Sequence, residues 1–314
     1  MKNANFQTII EDLKISFKFA VKNVISYLLA IFGVLIVSGI LLVVVAALVF
    51  IPLFFVIGGF ENIVIYFEAF NSIDDIGVTN IALGAILFVI PFLAPIFVAF
   101  GAMFGMGREI VESEGTSAEG VFVWYKKKFF SLAGGGMILF LVVLGPLIIA
   151  LIGGTAIYGV QFLNMGIIHT GSASLLHPVI FGLLLIWLAV STGLLSMLFP
   201  SIIDGYSVFE STKRSIRMSI KYFDRVFGVW LTFLLILGVI FVPIIAAPFT
   251  LGMGTIVLIM AVYMLPAMLF LVFVFLPAMT IGLTRVYMIL TAVDDDYEHT
   301  PEEDESSPSF IGGV

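Results

Sequence analysis

Residues 199–227 read FPSIIDGYSVFESTKRSIRMSIKYFDRVF. An apolar run ends at Phe199-Pro200, Asp204-Gly205 makes a polar break, and the chain turns apolar again from Val226. Between them lies a segment with two stripes. Phe209, Thr212, Ile216, Ile220 and Phe223 make an apolar one, while Glu210, Lys213, Arg214, Arg217, Lys221 and Arg225 make a charged, mainly basic one. This spacing predicts an amphipathic helix. Asp204 and Ser207 lie near its start, where acidic and hydroxyl side chains suit the free N–H groups. The reading is span, inner-surface helix, span.

Composition extends that reading to the whole chain. Of 314 residues 61% are hydrophobic and 11% charged, against roughly 25% charged in a soluble domain. No charge falls between Asp75 and Arg108, between Lys128 and Asp204, or between Arg225 and Arg285. Each gap holds one or two runs long enough to cross a bilayer, which takes about 20 apolar residues as helix. The runs are continuous rather than alternating, so they are helices and not barrel strands. The predicted fold class is all-α: a polytopic bundle of about six spans with interfacial amphipathic helices on the cytoplasmic side. The spans fall near 25–48, 80–103, 129–153, 178–199, 226–245 and 255–280. The apolar run from Val24 is too long for the core of a cleavable signal.

All fourteen Lys and Arg lie within residues 2–22, 108–128 and 213–225 or at Arg285. With six spans these segments share one side, and the positive-inside rule makes that side, with both termini, cytoplasmic in a cell membrane. The net charge of −7 comes largely from residues 294–305, which hold eight acids and no Lys or Arg. Residues 294–314 are expected to form an acidic, disordered tail, and the near-neutral body excludes nucleic acid as a partner.

Lys22, Lys127 and Lys221 each sit just before a span. Pro95, Pro200 and Pro277 follow near the inner end of the next, with Gly101, Gly205 and Gly282 shortly after. This pattern predicts a threefold helix-hairpin repeat, with units about 6–104, 117–203 and 207–290 in a single membrane domain, 1–293. In the first unit Phe6, Ile9, Ile10, Leu13, Phe17, Ala20, Val21 and Val24 make an apolar stripe opposite Glu11, Lys14, Lys18 and Lys22.

Residues 199–230, FPSIIDGYSVFESTKRSIRMSIKYFDRVFGVW, resemble a recurrent segment of a broad, poorly characterised family of prokaryotic, often archaeal, membrane proteins. That family is similar to the membrane domain of some glycerophosphodiester phosphodiesterases. The resemblance implies a six-span helical domain with a lipid-related or envelope role. It does not imply the phosphodiesterase activity, because the chain has no room for the catalytic barrel.

Catalysis needs converging titratable groups, and the apolar centres of the spans hold no Asp, Glu, Lys, Arg or His. The absence of cysteine removes thiolate metal sites and cysteine nucleophiles. A pairing of His169 or His177 with Ser191 or Ser196 is the one formal alternative, and the histidines fall on the opposite, outer side. The outer acids Glu61, Glu68, Asp74 and Asp75 read as a solvated loop. No metal or cofactor signature is present, and the expectation is a non-enzyme. The basic faces are the candidate sites for anionic lipid headgroups or for a protein partner, including a second copy of the chain. They comprise Lys213, Arg214, Arg217, Lys221 and Arg225, with Lys14, Lys18 and Lys22 on the first helix. The prolines and glycines inside the spans motivate an alternative: a transporter, flippase or channel for a neutral or amphipathic solute. Gly101 and Gly105, and the run Gly134–Gly136, are weaker cues for close helix packing.

Overall fold

A computed structural model describes residues 5–59, 62, 75–158, 176–250 and 253–298. Among them every regular element is a helix. In chain order these are α1 (Phe6–Lys22), α2 (Val24–Ile57), α3 (Asp75–Ser113), α4 (Ala118–Lys127) and α5 (Phe129–Tyr158). They continue as α6 (Leu176–Leu194), α7 (Leu198–Asp204), α8 (Val208–Lys221), α9 (Phe223–Thr250) and α10 (Met253–Phe270). A π-helical turn (Leu271–Phe275) and α11 (Leu276–Glu298) complete the described chain. Among the described residues six stretches are long and apolar enough to cross a membrane: α2, α3, α5, α6 with α7, α9, and α10 with α11.

The expected spans are all there, with longer ends. At 1.5 Å per residue the 39 residues of α3 reach about 58 Å, nearly twice a ~30 Å hydrocarbon core. The fifth span continues to Thr250 where a turn from Ala246 was expected. The sixth runs through Asp294–Glu298, which was assigned to the tail. Most of the outer acidic loop, His169 and the tail beyond Glu298 lie outside the described residues.

Three helices enter the next span through a single residue outside helical geometry. Asn23 (φ −108°, ψ 19°) joins α1 to α2, Lys128 (−118°, 17°) joins α4 to α5, and Tyr222 (−119°, 43°) joins α8 to α9. The hydrogen-bond ladder survives on both sides of each joint. The N–H groups of Asn23, Lys128 and Tyr222 donate to Phe19, Trp124 and Met218, and their carbonyls accept from Tyr27, Leu132 and Val226. Each joint thus bends the axis at little cost in bonds.

Burial follows the same register around the joints. Three residues before them Ala20, Tyr125 and Ser219 are buried; seven before, Ser16, Val121 and Ser215 are buried. Four residues after them Tyr27, Leu132 and Val226 are buried; seven after, Ala30, Gly135 and Val229. The helices also begin alike, on Asn5, Ser117 and Ser207 in extended conformation.

The fourth and sixth spans are interrupted, and proline chemistry accounts for both interruptions. Pro200 has no N–H for the Ser196 carbonyl, and Pro277 none for the Phe273 carbonyl. Non-helical turns at Leu195–Met197 and the π turn at Leu271–Phe275 contain those two orphaned groups. Pro200 itself is tolerated in the first turn of α7, where its missing N–H costs nothing. Gly205, at φ +118°, ends α7 in the left-handed conformation that a Cβ disfavours.

α3 is the central helix, packing on α5, α11, α4, α2 and α7. Its contacts with α5 and α4 depend on glycine. A Cβ at Gly136 would stand 2.2 Å from the Cβ of Phe97, and one at Gly105 2.3 Å from the Trp124 ring. Both cues noted in the sequence therefore mark close approaches within the chain. Gly136→Ala is expected to destabilise the purified protein by about 1–3 kcal/mol, through a clash with a side-chain stem that cannot swing away. Gly145→Ala, where nothing lies within 4 Å, should be neutral or gain up to about 1 kcal/mol in helix propensity. Thermal unfolding of the two variants in one detergent makes the comparison.

Candidate functional site

The four basic segments meet. Lys22 pairs with Glu114 (3.4 Å), Arg108 with Asp204 (2.9 Å), and Asp12 with both Arg225 and Arg285. Contacts this short between all four segments place them at one end of the bundle, as an even number of crossings between segments requires.

Asp12 is the centre of this end. Its side chain is only 3% exposed, and a carboxylate that far from water has to be matched by charge and hydrogen bonds. Arg225 supplies a two-pronged contact, Nε to Oδ2 at 3.0 Å and Nη2 to Oδ1 at 3.2 Å, while Nη1 of Arg285 donates to Oδ1. α1 is thereby fastened to α9 and α11. The rest of its buried face is small: Ser16, whose hydroxyl donates to the Asp12 carbonyl, and Ala20.

Asp204 forms a second knot. One oxygen accepts from Arg108, the other from the Tyr287 hydroxyl (2.9 Å). The Arg214 guanidinium lies 4.3 Å over the Tyr206 ring and 5.8 Å from that of Tyr287. Glu109 forms a third, accepting from the Thr116 hydroxyl (2.6 Å) and the Trp124 indole N–H (2.9 Å), which ties the end of α3 to α4.

These knots divide the candidate cations. Arg225 and Arg214 are turned into the protein and hold it together. Lys213 and Arg217 are exposed on α8, and Lys14 and Lys18 on α1. Lys221 is exposed with its ammonium 5.1 Å from the Tyr222 ring, and Lys22 is exposed with Glu114 as its partner. The apolar stripes also divide. Phe209 is 81% exposed and Ile220 65%, whereas the buried face of α8 is Ser211, Ser215, Met218 and Ser219. On α1, Ala20 is buried and Leu13 and Phe17 pack on the core, but Phe6, Ile10 and Val21 are exposed.

The buried serines of α8 serve the broken fourth span. Ser215 donates to the Leu194 carbonyl (2.8 Å) and accepts from the Met197 N–H (3.1 Å); Ser219 donates to Gly193 and Leu194 (3.2 Å each). Of the serines weighed as nucleophiles, Ser196 donates to the Gly193 carbonyl and Ser191 to that of Leu188. Asp12 and Glu109 had no part in the sequence reading, and Asp204, read there as an acid favouring the start of α8, instead ends α7 and pairs with Arg108 and Tyr287. One signal was available for Asp12: with Ser16, Ala20 and Asn23 it forms a small or polar stripe at helical spacing.

The arrangement defines a class: a multi-span integral membrane protein with a charged, cross-linked end. No family model matches the chain, and neither a curated protein nor a solved structure does. The likeness of residues 199–230 to a prokaryotic six-span family rests on the motif alone.

Two measurements follow. Asp12→Asn leaves Arg225 and Arg285 facing each other without a counter-charge, and should cost on the order of 3 kcal/mol. Lys14→Gln, at an exposed position, should be neutral in the same unfolding assay. At the start of α8, Ser207 and Glu210 cap each other reciprocally. Hydrogen bonds from the Ser207 hydroxyl and N–H hold the Glu210 carboxyl below the usual carboxylate range. A lowered folded-state pKa means the cap is intact above the ordinary carboxylate value and fails as pH falls through the lower one. Amide exchange over residues 208–211, corrected for intrinsic rate, should quicken only in that acidic window, and Ser207→Ala should be quick throughout.

Proposed function

We propose that this protein is a non-enzymatic membrane protein that organises anionic lipid at the cytoplasmic face. In this reading three copies of one unit, amphipathic helix and helical hairpin, carry the headgroup-level helices. One observation carries the proposal: exposed cations and exposed bulky apolar residues share the outward faces of α1 and α8. Lys14 and Lys18 stand between Ile10 and Val21, and Lys213 and Arg217 between Phe209 and Ile220. A phenylalanine as exposed as Phe209 beside guanidinium and ammonium groups suits the boundary between acyl chains and headgroups. The matching joints at Asn23, Lys128 and Tyr222 support the threefold unit, and the positive-inside rule supports a cytoplasmic location for this end.

A carrier for an amphipathic solute is the second reading. It is favoured by the interrupted fourth and sixth spans, since discontinuous helices accompany substrate sites in many transporters.

Lipid selectivity tests the first reading. The full chain is reconstituted with spin-labelled phosphatidylglycerol or phosphatidylcholine, and the motionally restricted fraction is compared. Wild type should favour the anionic lipid, with each cation contributing up to about 1 kcal/mol, and salt should erase the preference. Neutralising Lys14, Lys18, Lys213 and Arg217 together should reduce it most. Equal restriction of both lipids at low salt would sink the proposal.

A further inference from the structure

Five of the six spans enclose a cavity of about 300 Å³, at the small end of the range for ligand sites. Its inner wall is buried and largely aromatic, with Phe104, Phe199, Phe233 and Phe275. Its other side is formed by the half-buried Leu139, Leu188, Leu234 and Leu237, where the cavity opens out of the bundle. Leu139 and Leu234 lie ten and eleven residues into helices that start at the charged end. At 1.5 Å per residue that is about 15–17 Å, the middle of a ~30 Å core.

We infer that this cavity is a binding site for one hydrocarbon chain of a membrane lipid. The chemistry of the lining selects that occupant. The two hydroxyls on the wall are already committed to their own helix, Thr192 to the Leu188 carbonyl (2.6 Å) and Ser196 to that of Gly193 (2.8 Å). A water molecule needs two to four polar partners, and these two hydroxyls, with their protons already committed, offer it only acceptor oxygens on a wall that is otherwise almost wholly apolar. A polar solute would lose its hydration without replacement. An empty space leaves the lining without dispersion contacts, and the bilayer beside the opening is a concentrated source of acyl chains.

Both helix interruptions lie on this cavity. Leu195 and Ser196 belong to the break in the fourth span, Phe275 to the π turn in the sixth, and all three line the wall. A regular α-helix would carry those side chains in another direction, so the prolines that orphan the Ser196 and Phe273 carbonyls also shape the chain site. Rings pack the inner side closely, with Phe199 stacked on Phe104 at 5.5 Å and against Phe100 at the same distance. The inference goes beyond the headgroup role and does not depend on it: it requires only that these spans stand in a bilayer.

Trp230 lies on the cavity wall and is otherwise buried; Trp187 is exposed, and Trp124 is bonded to Glu109. A W124F/W187F chain leaves Trp230 as the sole indole. In vesicles of phosphatidylcholine with brominated acyl chains its emission should be quenched relative to unbrominated vesicles. Filling the opening with L139F/L234F should return it to the unbrominated level. Emission indifferent to bromine, or quenching that the filled chain retains, overturns the inference. Because W124F removes a bonded indole, the wild-type chain is also taken through native mass spectrometry. One phospholipid should remain bound and should be lost in L139F/L234F; no retained lipid, or equal retention by both, overturns it. Phosphatidylcholine carries no net charge, so failure here leaves the anionic-headgroup reading to its own test.

Discussion

A carboxylate drawn out of water must be answered at contact distance, and Asp12 is answered twice. Arg225 and Arg285 converge on it from the fifth and sixth spans. Without them α1 would rest on the bundle through apolar contacts alone, such as those of Leu13 and Phe17. With them it becomes part of the bundle, lying on α9 and α11. Replacing such a buried set by apolar side chains can be neutral or stabilising, so its value is better sought in specificity. It fixes one rotation of α1, which fixes in turn which residues face outward. Lys14 and Lys18 are exposed because Asp12 and Ser16 are not.

α8 solves the same problem with hydroxyls. Ser215 and Ser219 reach the Leu194 carbonyl of the broken fourth span, and Ser215 also its Met197 N–H, two groups that the interrupted helix no longer satisfies. In hydrocarbon such groups would be costly, so the break can persist only where another element supplies partners. The serine stripe of α8 and the interruption of the fourth span therefore require each other. The exposed Phe209 and Ile220 are the consequence, since a helix that turns serines inward turns its bulk outward.

This also explains what the sequence could and could not disclose. Span number, the gathering of the basic segments at one end and the start of α8 near Ser207 were readable. They depend on hydropathy, charge and capping, which act locally and along the chain. The inward face was not readable from hydropathy. In water an apolar stripe points to the core, but beside a bilayer lipid accepts apolar surface as readily as the core does. The apolar stripe of α8 thus marked the outside, and its serines marked the inside. Asp12 was hidden for a related reason. Its partners lie more than two hundred residues away, and one acid on a helix rich in lysines looks like surface until those arginines are brought to it.

The positions of the prolines join the two halves of the structure. Pro200 and Pro277 hold comparable places in the fourth and sixth spans, and each disturbs the turn that precedes it. The first hairpin has Pro95 but an unbroken α3, and its leading helix α2 takes no part in the cavity. One hairpin therefore supplies a continuous central post, and the other two supply the irregular walls around it. It is the two interruptions that leave room beside that post, and the serines of α8 that hold one of them open.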